Sequence, residues 1–192
     1  MPVRLIGTPR FGDERGWFAE TFNARRLAGE GVTVPFVQDN HSYSREAGTV
    51  RGLHFQRPPS AQAKLVRVGR GRILDVAVDV RRGSPTYGRW VGAELSAEAE
   101  NQLFVPEGFA HGFCTLEAHT EVLYKVSAFY DAEADTGLIW NDPDLAIPWP
   151  VSAEKAIVSR KDGELPRFEA FESPFSFDGV PLTPVPGGIG TV

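Results

Sequence analysis

The sequence predicts an all-β fold, a sandwich or barrel of many short strands. Its dominant hydrophobic period is two, its short apolar runs recur at regular spacing, and each run is bounded by Gly, Pro, Asn, Asp or Ser. The clearest run covers residues 71–80, where Leu74, Val76, Val78 and Val80 share one face and Ile73, Asp75, Ala77 and Asp79 the other. Residues 64–68 alternate in the same way, and Gly69-Arg70-Gly71 after them reads as a turn between antiparallel strands. Further strands are expected over residues 16–22, 49–55, 89–95, 102–105 and 121–126. Helical pattern is scarce. Residues 23–31 suit one short helix capped by Asn23, and residues 152–157 a second capped by Ser152. From Ser173 onward prolines alternate with glycines, a composition that suits no regular ladder and predicts an extended or mobile tail. The expected organisation is one domain over residues 1–172 followed by a Pro/Gly-rich tail over 173–192.

Composition narrows the class. The 192 residues are 42% apolar, enough for a core without staples. The single cysteine, Cys114, lies in an apolar run and reads as a small buried hydrophobe, since one thiol forms no internal disulfide. No apolar leader opens the chain and nowhere do eighteen apolar residues run together, so neither secretion nor a membrane partner is expected, and the reading is cytoplasmic. A net charge of −5 and a pI near 5.4 argue against general nucleic-acid binding. They leave room for a locally basic pocket. Arg51, Lys64, Arg67, Arg70 and Arg72 are close in sequence, which fits an anionic small ligand as well as a row of solvated strand edges.

Four histidines occur, His41, His54, His111 and His119. His54 ends a predicted strand in Arg51-Gly52-Leu53-His54, where Gly52 would leave open space beside the ring. His111 sits in Pro106-Glu107-Gly108-Phe109-Ala110-His111-Gly112-Phe113, where two glycines and a proline fix an unusual backbone. Each reads as a structural histidine or as a poised base. A metal site on such strands needs histidines spaced by one residue, but Gly52 and Gln56 flank His54 at that spacing, so no metal is expected. The alternative chemistry is proton transfer beside a carbonyl. It needs a base, a cation at the oxygen that becomes an enolate, and an acid on the opposite face. His54, Lys64 and Tyr130 suit these roles, and a carboxylate that the sequence does not select would hold the imidazole.

Several segments carry a specific resemblance: Asp13 to Glu20, Gln38-Asp39-Asn40-His41-Ser42, Val50 to Gln56, Asp75 to Arg81, Gly83-Ser84-Pro85-Thr86-Tyr87-Gly88, Phe104 to Phe113, Asn141 to Leu145 and Ser159-Arg160-Lys161-Asp162. In order and spacing the chain resembles the dTDP-4-dehydrorhamnose 3,5-epimerase family along nearly its whole length before the tail. The resemblance implies a jelly-roll (cupin) fold and a cofactor-free, metal-independent epimerase acting on a dTDP-linked 4-keto-6-deoxyhexose. It implies a homodimer with part of each site supplied in trans. It maps the base to His54, its carboxylate partner to Asp162, the C5 acid to Tyr130 and the carbonyl-side lysine to Lys64. Substrate contacts map to Arg15, Phe18, Glu20, Gln38, Asn40, Arg51, His111, Asp135 and Lys161. Asp135 is one methylene shorter than the family's usual glutamate, which bears on base recognition. Two alternatives share the fold: a 3-epimerase for a related sugar, and a jelly-roll module that binds a sugar nucleotide without turning it over.

Overall fold

A computed structural model describes residues 1–192. The chain runs through β1 (Arg4–Gly7), β2 (Arg10–Asp13), β3 (Gly16–Ala19), α1 (Ala24–Gly29), β4 (Gln38–Ser44), β5 (Val50–Gln56), β6 (Lys64–Arg70) and β7 (Arg72–Asp79). It continues through β8 (Trp90–Ser96), β9 (Asn101–Val105), β10 (Phe109–Thr115), β11 (Thr120–Val126), β12 (Asp135–Gly137), α2 (Arg160–Gly163), a 3-10 turn (Phe168–Ala170) and β13 (Ile189–Gly190). Two antiparallel sheets face each other, one ordered β1-β9-β6-β11-β4 and the other β12-β5-β10-β7-β8-β13, while β2 and β3 pair only with each other. This is the predicted all-β sandwich, a cupin-like jelly roll.

The alternation seen in the sequence explains the layers. Val66, Val68 and Val122 of one sheet meet Ile73, Ala77, Val91, Leu95 and Phe113 of the other in the central core. The opposite face of β7 is buried too: Val76 and Val78 pack with Leu53, Trp90, Leu138, Leu145, Ile147 and Phe175. The chain beyond β12 therefore wraps the outside of the six-stranded sheet. Helix α1 covers the other sheet, with Leu27 packed against Ile6, Leu65 and Phe104.

Two expectations change. Residues 152–157 form a single turn, with Lys155 and Ala156 amides donating to the Ser152 carbonyl. The turn goes no further because the Ile157 backbone is taken by Gly48 and Val50 beside β5. Residues 106–113 carry the unusual backbone expected of them, with Gly108 at a φ of +84° and a register shift between His111 and Phe113, within and just ahead of β10, whose residues are all buried. The segment 173–192 is extended but packed, because its few apolar residues find core positions. Phe175 joins the outer core, Leu182 and Val185 join the central one, and β13 pairs with β8. Asp178 bonds Arg81 at 2.7 Å and the N-terminal amine at 3.0 Å.

Candidate active site

Register brings the two conspicuous histidines together: His111 on β10 lies directly across from His54 on β5. Gly52 makes this approach possible, but not by leaving space. A Cβ there would meet the Gly112 Cα at 2.6 Å and the His111 carbonyl oxygen at 2.7 Å, and its φ of +118° suits glycine. The glycine is needed for backbone contact between the strands, and the open space lies on the other side of the imidazole.

That space is a cavity of about 430 Å³ between the two sheets. From the six-stranded sheet it is lined by Arg51, His54 and His111, from the five-stranded sheet by Lys64 and Tyr124, and from α2 by Asp162. Ser159 caps α2 by accepting from the Asp162 amide at 3.1 Å, which fixes the carboxylate under β5. Asp162 Oδ1 accepts from His54 Nε2 at 2.8 Å, and Oδ2 accepts from the Gly52 amide at 3.2 Å. An ionised carboxylate only accepts, so the imidazole proton sits on Nε2 and leaves Nδ1 as the basic atom. Burial works to raise the Asp162 carboxyl, but the hydrogen bond and charge of His54 and the Gly52 amide outweigh it, and the net shift is downward.

Lys64 is buried, and its ammonium donates to the His54 carbonyl at 3.2 Å. Burial pulls it down to about 8, against the opposing pull of Asp135 and Asp75. Burial also raises the Tyr124 phenol, with Arg51 opposing and Asp135 reinforcing the shift, so it holds its proton at neutral pH. His111 is lowered by burial and by the nearby positive groups, though Asp75, bonded to its Nε2 at 2.7 Å, resists. Gln56 serves the structure: its side-chain amide donates to the Ser60 and Phe129 carbonyls and accepts from the Asp131 backbone amide.

Tyr130 is a correction. It stands at the rim, 59% exposed, and does not line the cavity. Its hydroxyl donates to Asp135 at 3.3 Å, and Asp135 also pairs with Lys161. The tyrosine inside is Tyr124, six residues earlier on β11. The sequence carries its signal: Tyr124 alternates in phase with Val122 and Val126, so it points where they point, between the sheets. Gln38 and Asn40 bond each other at 2.9 Å on the edge strand β4, and Gln38 also holds the Tyr130 amide. Arg51 reaches the Tyr43 carbonyl at 3.1 Å.

Arg15, Phe18 and Glu20 are not brought to this cavity within one chain. Arg15 is paired with Asp13, Phe18 is 67% exposed on the β2–β3 hairpin, and Glu20 lies beside Arg26. The basic run also divides: Arg67 lines a separate groove, and Arg72 pairs with Glu94 and Glu117.

Comparison with known proteins gives the family. The sequence model of the dTDP-4-dehydrorhamnose 3,5-epimerase family matches residues 2–170. An enzyme of that name from Sinorhizobium fredii is 53% identical over 178 residues, covering 93% of this chain and 90% of its own. Among solved structures, the Bacillus anthracis dTDP-4-dehydrorhamnose 3,5-epimerase with TDP and PPi bound is 55% identical, covering 86% of this chain and 93% of its own, with a TM-score of 0.83. The Legionella pneumophila dTDP-6-deoxy-D-glucose-3,5-epimerase in complex with dTDP-4-keto-L-rhamnose is 41% identical, covering 92% and 94%, with a TM-score of 0.87. By sequence and by fold, the chain belongs to the dTDP-4-dehydrorhamnose 3,5-epimerase family.

Proposed function

We propose that the protein epimerises C3 and C5 of dTDP-4-keto-6-deoxy-D-glucose to give dTDP-4-keto-L-rhamnose, with its own side chains supplying all the proton chemistry. One observation carries the reading: the His54–Asp162 pair and the half-buried Tyr124, from opposite sides of the sandwich, meet in a single cavity that also holds the buried Lys64. The 4-keto group acidifies the C–H bonds on both of its flanks. His54 Nδ1 takes the proton, the electron pair moves into the C–C bond, and the resulting oxyanion is met by the Lys64 ammonium. Asp162 stabilises the imidazolium that forms. Tyr124 returns a proton to the opposite face of the sugar carbon, which completes the inversion. The assignment of the acid to Tyr124 in place of Tyr130 rests on its place in the cavity wall beside the other groups, whereas Tyr130 stands exposed at the rim. A cavity of about 430 Å³ suits a hexose ring, with Arg51 and His111 on its walls.

The working form is proposed to be a homodimer. The hairpin exposes Phe11, Trp17 and Phe18 at 60% or more and pairs with no other strand. Such a patch fits a second copy, whose cavity would receive Arg15, Phe18 and Glu20 at the rim formed by Gln38, Asn40, Tyr130, Asp135 and Lys161. The setting is proposed to be cytoplasmic, consistent with one buried, unpaired thiol. The test is incubation with dTDP-4-keto-6-deoxyglucose in D₂O, following deuterium by NMR. Incorporation at both C3 and C5 is expected. Incorporation at C3 alone would make the protein a 3-epimerase, and none at either carbon would remove the proposed reaction.

A further inference from the structure

One charged group in the interior takes no part in these proton transfers. Asp75 lies mid-strand on β7 with no accessible surface, in an otherwise apolar run. Burying a carboxylate is costly unless it is fully compensated. Here the compensation is incomplete: Oδ1 bonds His111 Nε2 at 2.7 Å, while Oδ2 is the one buried side-chain polar atom in the molecule without a partner. Apolar residues on either side show that the strand would be well served by valine or alanine at this position.

We propose that Asp75 is a positioning residue of the site, which locks His111 in the tautomer protonated on Nε2 and so presents Nδ1 to the bound sugar as a hydrogen-bond acceptor. The carboxylate cannot donate, so the proton between the two side chains belongs to the imidazole. His111 Nδ1 makes no hydrogen bond within the chain and is not sealed from solvent space, and the ring lines the cavity. The two facing histidines thus stand in the same relation to their carboxylates. Each gives Nε2–H to an aspartate and keeps Nδ1 free, one paired from α2 and the other from β7. They differ in burial: the His54 side chain is 30% exposed and that of His111 only 7%. The accessible ring suits proton transfer. The enclosed one, held neutral by its surroundings, suits accepting a hydrogen bond from a sugar hydroxyl and fixing the ring face that His54 meets.

The inference rests on the epimerase reading for its substrate but not for its primary measurement. ¹⁵N spectra of the imidazole nitrogens, taken without ligand at neutral pH, should show His111 protonated at Nε2 and bare at Nδ1. Asp75→Asn, which preserves shape but can offer an amide donor, should shift His111 toward the Nδ1-protonated tautomer. It should also lower kcat about tenfold to a hundredfold, the range for outer partners that orient histidines, while dTDP affinity stays within a few fold. A wild-type His111 protonated at Nδ1 would overturn the proposal whether or not the variant folds. So would an Asp75→Asn protein whose tautomer and kcat match wild type and whose only change is a lower Tm. If wild-type protein incorporates no deuterium, the epimerase reading fails by itself, and the tautomer comparison still decides the role of Asp75.

Discussion

The cavity and the β2–β3 hairpin are built from the same kinds of residue and end in opposite conditions. In the cavity every charged group has a partner or a low-dielectric wall: His54 has Asp162, His111 has Asp75, and Lys64 has a carbonyl. On the hairpin, aromatic side chains stand in solvent, and the side chain of Arg15, 85% exposed, meets only its near neighbour Asp13. The contrast separates two jobs. Proton transfer needs groups with shifted affinities and fixed distances, so its proposed site lies within one folded chain, between two sheets that cannot easily part. Nucleotide recognition tolerates a contact completed on assembly, so the residues mapped to it can lie where a partner meets them.

The largest expected effects lie in the cavity. His54→Ala removes the proposed base, and turnover should fall by about 10² to 10⁴-fold or more, while dTDP affinity measured by calorimetry changes by no more than a few fold. Tyr124→Phe sharpens the comparison because its hydroxyl is inside while that of Tyr130 is at the rim. The Tyr124 variant should lose inversion at C5 by a similar factor. Tyr130→Phe should keep both inversions and alter KM. Loss of C5 inversion in Tyr130→Phe with retention in Tyr124→Phe would reverse the assignment.

What could be read from the sequence divides along the same line. Strands with one or both faces in a core announce themselves by alternation: β7 and β11 lie within a residue or two of their predicted bounds. Strand β4, Gln-Asp-Asn-His-Ser-Tyr-Ser, shows no such signal, because an edge strand over a polar site has little apolar surface to bury. His54, Lys64 and Asp162 are legible through motifs, whereas the Tyr124/Tyr130 choice depends on which face of a strand and which end of a loop a ring occupies. The tail misleads for a compositional reason. Proline and glycine preclude a ladder, but three apolar side chains, Phe175, Leu182 and Val185, suffice to pin an extended segment to a finished sheet. The role of Gly52 emerges only in three dimensions, since the sequence reports a missing side chain but not what occupies its place.

Hairpin substitutions should be milder and act on different observables. Arg15→Ala should raise KM by about tenfold, the equivalent of some 1.4 kcal/mol, with kcat nearly kept. Phe18→Ser should weaken assembly, read as a lower mass by light scattering at micromolar protein, with KM rising in step with dissociation. If Phe18→Ser remains dimeric, the exposed aromatics serve some other contact and the proposed division of labour fails at this point.

The smallest effect tests whether the rim influences the interior electrically. Lys64 titrates near 8 in the folded protein, so its ammonium is present below that pH and lost above it. The rate should therefore fall as pH rises through about 8, approaching tenfold per unit beyond. Asp135 holds Lys64 up by charge alone, from a strand whose carboxylate is already engaged with Lys161 and Tyr130. Asp135→Asn removes that charge, the ammonium becomes less favoured, and the alkaline limb should move to lower pH by a fraction of a unit. A limb that stays in place while KM rises would confine Asp135 to nucleotide contact. A limb absent from wild type up to about pH 9.5, well past the Lys64 titration, would mean that Lys64 is not the group meeting the enolate.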